Sequence, residues 1–152
     1  MKSFFVLIVW PFILAMLVLA APPVRADVWV VASVTSFHAS AEHFNAENFG
    51  LGAEYTRGAW SAMAGAYENS VYRPSTYGLA GYAPFVLGPF RFGGVAGVVT
   101  GYPGLNNGGV GPAAGGLVRL EFERFGANAV IIPKVTNRSP WTLGVQAKFR
   151  AM

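Results

Sequence analysis

Cysteine is absent from all 152 residues. The chain therefore has no disulfide framework and no thiolate metal site, and an oxidising compartment carries no risk for it. Charge is scarce as well. Asp, Glu, Lys and Arg make up 12% of the sequence, against about 25% in an ordinary soluble domain. The formal charge of +4 comes from scattered residues with no basic run, so nucleic acid is not an expected partner. No long apolar run follows residue 26, so no membrane-crossing helix is expected there. Glycine first occurs at residue 50; all 19 glycines lie from there onward without a regular period. That excludes a collagen-like or low-complexity chain.

The opposite holds for the first residues. Lys2 is followed by an almost wholly apolar stretch from Phe4 to Ala21, interrupted by Trp10-Pro11. Val24-Arg25-Ala26 then sets compact residues three and one before Asp27. This is the pattern of a secretory signal peptide. The expected organisation is a signal peptide over 1–26 and a single domain over 27–152.

Within that domain the apolar period is two, not 3.6. Trp141, Leu143, Val145, Ala147 and Phe149 alternate with Thr142, Gly144, Gln146, Lys148 and Arg150. Phe49, Leu51, Ala53 and Tyr55 alternate with Gly50, Gly52, Glu54 and Thr56, and Val118, Leu120 and Phe122 with Arg119, Glu121 and Glu123. Eight strands are predicted, over 28–39, 48–57, 59–69, 76–86, 90–101, 116–124, 126–134 and 141–150. Each is near the roughly 9–11 residues a tilted strand needs to cross a bilayer. Arg57-Gly58, Leu87-Gly88-Pro89 and Phe125-Gly126 read as tight turns, while 39–47, 70–75 and 102–115 read as longer loops. An exported, apolar chain with an even number of alternating strands and long loops at one end predicts an all-β fold. The expected form is an eight-stranded antiparallel transmembrane β-barrel, monomeric, in a bacterial outer membrane. Its lumen would carry Glu54, Glu68, Glu121 and Glu123 paired with Arg91, Arg119, Lys148 and Arg150, because buried charge persists only when paired.

This topology bears on chemistry. With the N-terminus in the periplasm, odd strands run outward. The ends of the first and third strands then share the outer rim, and with them His38, Asn69 and Ser70. A histidine within reach of a serine hydroxyl can take its proton and make it a nucleophile, or activate another hydroxyl as acceptor. His38, Glu42, His43 and Glu47 also hold metal-ligand atoms, but no strand or helix spacing gathers them on one face, so no metal and no other cofactor is expected.

From Ser36 the chain reads SFHAS…FNAENFGLGAEY…AWSAMAGAYENS…YGLAGYAPF…RFGGVAGVVTGY…IIPK. This ordered series resembles the lipid A palmitoyltransferase family, across most of residues 36–134. The resemblance implies an outer-membrane acyltransferase that moves a fatty acyl chain from phospholipid to lipid A. It implies that His38 and Ser70 are catalytic, with Asn69 where the family carries aspartate. Asn69 can orient a side chain but cannot hold the charge that would stabilise an imidazolium. The resemblance further implies that Pro112 and Pro133 flank a seam that admits lipid sideways. A second proline-lined gap, beside the first two strands, is missing, with Ser33 and Asn48 in its place. Ala83, in the run Gly81-Tyr82-Ala83, takes the floor of the acyl pocket. The alternatives are a lipid A deacylase and a small barrel without enzymatic activity.

Overall fold

The computed structural model describes residues 25–40, 43–134 and 140–152. The expected signal peptide lies outside them, apart from Arg25 and Ala26. Eight antiparallel strands close on themselves in sequence order: β1 (Ala26–His38), β2 (Gly50–Arg57), β3 (Trp60–Glu68), β4 (Pro74–Leu87), β5 (Phe90–Val99), β6 (Gly111–Glu121), β7 (Phe125–Ile132) and β8 (Thr142–Arg150). Closure leaves no sheet edge along most of the barrel's height. Where β1 meets β8, pairing runs from Trp29↔Arg150 to His38↔Thr142.

The short connections gather at one end. Gly58 and Gly88 open the turns after β2 and β4 with φ of 60° and 57°, the left-handed region that glycine enters without steric cost. The third short turn spans 122–124 rather than the predicted Phe125-Gly126. Phe125 already belongs to β7, where its ring meets that of Phe149 on β8 at 5.5 Å. A larger correction concerns β6. It begins at Gly111, inside the stretch predicted to be a loop, and pairs with β5 from Gly111↔Val99 onward. Glycine, proline and alanine there conceal the alternation, and the neighbouring strand imposes the extended form.

Alternation decides the rest. Outward positions are apolar and exposed, among them Val30, Leu51, Tyr55, Trp60, Tyr82, Phe85, Val98 and Phe149. Aromatic residues cluster at the short-turn end, where Trp60 meets Tyr82 at 4.5 Å between ring centroids. Others, including Phe37, Phe49, Tyr72 and Trp141, mark the opposite rim.

The interior is filled in two layers. Nearer the short turns lies a polar plug. Lys148 Nζ sits 2.8 Å from Glu54 Oε2 and 2.8 Å from Glu121 Oε1, and Arg119 approaches Glu121 at 3.8 Å. Arg119 also donates to the carbonyls of Gly58 and Trp60. Lys148 and Arg150 both lie 4.6 Å from the centroid of buried Trp29, a cation–π arrangement. So Glu54, Glu121, Arg119 and Lys148 belong to the lumen as expected. Glu68 and Glu123 do not: both are exposed, Glu123 beyond the end of β6. Arg150 pairs with Asp27 at 3.5 Å instead.

Above the plug, Met63, Tyr77, Val95, Val99 and Leu117 form an apolar core that Tyr67, Leu79, Tyr102 and Leu105 complete. A β-carbon at Gly52 or Gly65 would come within 2.6 and 2.7 Å of the Tyr77 hydroxyl, so those two glycines make room for this ring. Tyr77 and its neighbours thereby fill much of the lumen above the plug.

Candidate active site at the barrel mouth

Inward positions on the lower half of β1 are odd-numbered: Trp29 and Val31 are buried and Val30 is exposed. Continued without interruption, that parity would turn His38 toward the outside. The register against β8 shifts between Ser33 and Thr35, leaving Val34 as an inserted residue that faces outward. This β-bulge flips the parity above it. Ser36, opposite Gly144, and His38, opposite Thr142, now face the lumen, while Phe37 faces out.

Four side chains follow in a line. Thr142 Oγ1 lies 3.0 Å from His38 Nδ1. His38 Nε2 lies 2.8 Å from Ser36 Oγ. Ser36 Oγ in turn donates to Asn48 Oδ1. The Asn48 amide is oriented by donating to the carbonyls of Glu68 at 3.0 Å and Asn45 at 3.4 Å. The Phe44 ring covers His38 at 4.8 Å between centroids. His38 ends β1, a strand of 13 residues, level with the rim aromatics. Burial there lowers its pKa below the usual histidine value, opposed by a hydrogen bond to the backbone of Asn45. Burial thus favours the neutral imidazole, the form a general base requires.

Asn69 and Ser70 also lie at this rim, but Asn69 is engaged elsewhere. Fully buried, it donates to Ser75 Oγ at 2.9 Å and to the Gly101 carbonyl at 3.0 Å. Its Oδ1 accepts from the backbone N–H groups of Val71 and Arg73. That is an asparagine-anchored turn joining β3 to β4. Ser70 offers its carbonyl to the Asn45 N–H at 2.9 Å. The serine brought to His38 is Ser36, and sequence reasoning passed over it, together with Asn48 and Thr142. A signal was present: the consecutive polar pair Thr35-Ser36, between Val34 and Phe37, breaks the alternation where the bulge falls.

Two seams flank the site. β6 pairs with β5 from Gly111 to Leu120 but with β7 only from Gly116↔Ile131. Among the described residues, Gly111–Gly115 have no ladder partner on the β7 side. Exposed Pro112 sits in that segment, and Pro133 follows the last residue of β7. The second seam lies between β1 and β2, whose ladder stops at Ser33↔Gly50. Proline plays no part there. Beyond it, Ser36 N–H and Thr35 Oγ1 both donate to the Ala46 carbonyl, so the 43–48 segment continues the wall. On the outer face beside this ladder end, Ala32, Val34, Phe49, Leu51 and Ala66 line a shallow apolar depression.

Ala83 is fully buried at the other end of the barrel. It lies in the irregularity of β4 between Tyr82 and Phe85, and its N–H donates to the Ala59 carbonyl in the turn after β2. Met63, Tyr77 and Leu117 occupy the space between it and the mouth. Inside the wall beside the dyad there is more room: the nearest atom to a β-carbon at Gly144 would be 3.9 Å away.

No protein-family model matches this chain, and no curated protein matches it. The dyad, the closed barrel and the two seams are therefore what a functional reading must stand on.

Proposed function

We propose that this protein is an outer-membrane enzyme that transfers a fatty acyl chain from a phospholipid to lipid A, with Ser36 as nucleophile and His38 as base. The observation that carries the reading is the 2.8 Å contact between His38 Nε2 and Ser36 Oγ on the inner wall of the barrel mouth. The apolar outward face and its two aromatic girdles support placement in a bilayer, with the short turns in the periplasm. The β6–β7 seam, between Pro112 and Pro133, supports lateral entry of a lipid chain.

In this reading the Ser36 hydroxyl attacks the ester carbonyl of the donor. Its proton passes to His38 Nε2 and then to the departing lysophospholipid alcohol. The acyl group, held on Ser36, is taken by a hydroxyl of lipid A, whose proton His38 accepts and returns to Ser36. No cofactor is needed. Ser70 is next to Asn69 on the same rim and is the position the family resemblance favours for the nucleophile; it stands as the competing assignment.

The half-exposed position of His38 also favours a second reading, in which water replaces lipid A as acceptor and the protein is a deacylase. Mass spectrometry of lipid A from bacteria expressing the chain separates the readings. An added acyl chain supports transfer and a lost one supports hydrolysis. Unchanged lipid A together with unchanged phospholipid would mean a barrel without this activity.

A further inference from the structure

The proton bookkeeping around His38 can be worked through atom by atom. Asn48 spends its N–H groups on two backbone carbonyls, so its Oδ1 faces Ser36 as an acceptor. Ser36 has one proton to give and two possible receivers, Asn48 Oδ1 and His38 Nε2. When the proton goes to Asn48, His38 must donate from Nε2 to Ser36, and its bare Nδ1 accepts from Thr142. In that arrangement His38 cannot act as base toward Ser36. In the other, Thr142 donates to the Pro140 carbonyl at 3.2 Å and accepts the Nδ1–H of His38 at 3.0 Å. Nε2 is then bare and able to take the Ser36 proton. The imidazolium that results donates from Nδ1 to Thr142, which still has Pro140 as its own acceptor, and the Asn45 backbone is a further acceptor for the ring. The cost of this arrangement is that Asn48 Oδ1 gives up the Ser36 proton, so Thr142 and Asn48 compete for the tautomer.

We infer that Thr142 is the positioning residue of this site: its hydroxyl, backed by the Pro140 carbonyl, selects the Nδ1–H tautomer that makes His38 a base toward Ser36. The inference rests on the acyl-transfer reading above for its consequence in turnover, but not for the tautomer itself. Thr142 supplies orientation and one hydrogen bond without the negative charge of a carboxylate. It does so from β8, across the closing seam of the barrel from His38. The site therefore forms only when β1 and β8 pair to their upper ends.

The test uses full-length protein refolded in detergent or lipid, with histidine labelled by ¹⁵N in the ring and signals assigned against His43→Gln. In the wild type, the His38 ring shifts should show a substantial Nδ1–H population above its pKa. Thr142→Val keeps the β-branched shape and removes the hydroxyl. It should move the tautomer toward Nε2–H and lower acyl transfer about 10- to 100-fold, the range expected for losing a hydrogen bond to a charged group. Thr142→Ser should restore both to near wild-type values. Unchanged tautomer shifts in Thr142→Val would overturn the inference, and so would equal loss of turnover in the Val and Ser variants. If the wild type moves no acyl chain, the function reading fails, and the tautomer measurement still decides the role of Thr142.

Discussion

Ser36 and His38 are two residues apart on one strand, with Oγ and Nε2 2.8 Å apart, and both face the lumen because the ladder takes up Val34 as a bulge below them. A strand normally separates such a pair by about 7 Å of rise, with both side chains on one face. Long side chains and the strong twist at a bulge let them meet. The Asn48 amide and Thr142 hydroxyl then hold the two ends of the pair, from a loop and from β8.

The first prediction separates the two serines at the rim. Ser36→Ala should reduce acyl transfer by at least two orders of magnitude, because it removes the hydroxyl bonded to His38 Nε2. Ser70→Ala should keep activity within a few-fold of wild type. Lipid A mass spectrometry on both variants checks this, with heat-modifiable gel migration confirming folded barrels. Loss confined to Ser70→Ala would return the nucleophile to that residue.

A second prediction concerns Val34. Deleting it should join Ser33 to Thr35 in plain alternation, with Ser36 and His38 still inward and still opposite Gly144 and Thr142, but without the local twist that draws their side chains together. The ladders below Ser33 do not depend on the bulge, so the barrel should still fold and show its heat-dependent gel shift. Acyl transfer should fall to background. Full activity in the deletion variant would show that the Ser36–His38 contact does not need the bulge.

The uneven legibility of this chain has a physical cause. Where side chains differ strongly in polarity, as in Phe49–Thr56 and Trp141–Arg150, the pleat can be read directly, and the structure keeps those faces. Gly111–Gly116 has no such contrast; its strand form comes from pairing with β5, which lies far away in sequence. The plug was legible as charges on inward positions, but not the exchange of partners that gives Arg150 to Asp27. The dyad was hidden by the bulge, since a one-residue insertion reverses every inference about facing beyond it. Asn45 and Asn48 lie in an aperiodic segment, and no pattern there announces that their amides tie it to β3.

Asn69 provides the third prediction. An aspartate at this position reads from sequence as the residue that would activate His38. In the structure Asn69 Nδ2 donates to two oxygens, those of Ser75 and Gly101, and the Ser75 hydroxyl is itself directed at the Thr100 carbonyl. A carboxylate oxygen in place of Nδ2 would face acceptors without a proton to share. Asn69→Asp should therefore destabilise the barrel by about 1–3 kcal/mol and leave turnover per folded molecule unchanged or lower. A rise in turnover per folded molecule would place Asn69 in the orienting role instead.

The last prediction addresses the plug. Lys148 and Glu54 are both wholly removed from solvent, and their 2.8 Å contact lies against the Trp29 indole. Such a pair repays its desolvation only while both partners are present. Lys148→Met removes the cation and leaves Glu54 with one hydrogen bond, from Asn128 at 2.9 Å. That should cost about 3–5 kcal/mol of unfolding free energy. Adding Glu54→Gln removes the stranded charge while keeping an acceptor for Asn128, and Glu121 retains Arg119 nearby. The double variant should recover most of the loss, since replacing a whole buried pair is often close to neutral. Urea titrations in lipid vesicles, followed by the fluorescence of Trp29, measure both variants directly. The plug is remote from His38, so acyl transfer per folded molecule should stay near wild type in the double variant. Equal destabilisation of the single and double variants would mean that the packing of the lysine stem, and not its charge, holds this end of the barrel closed.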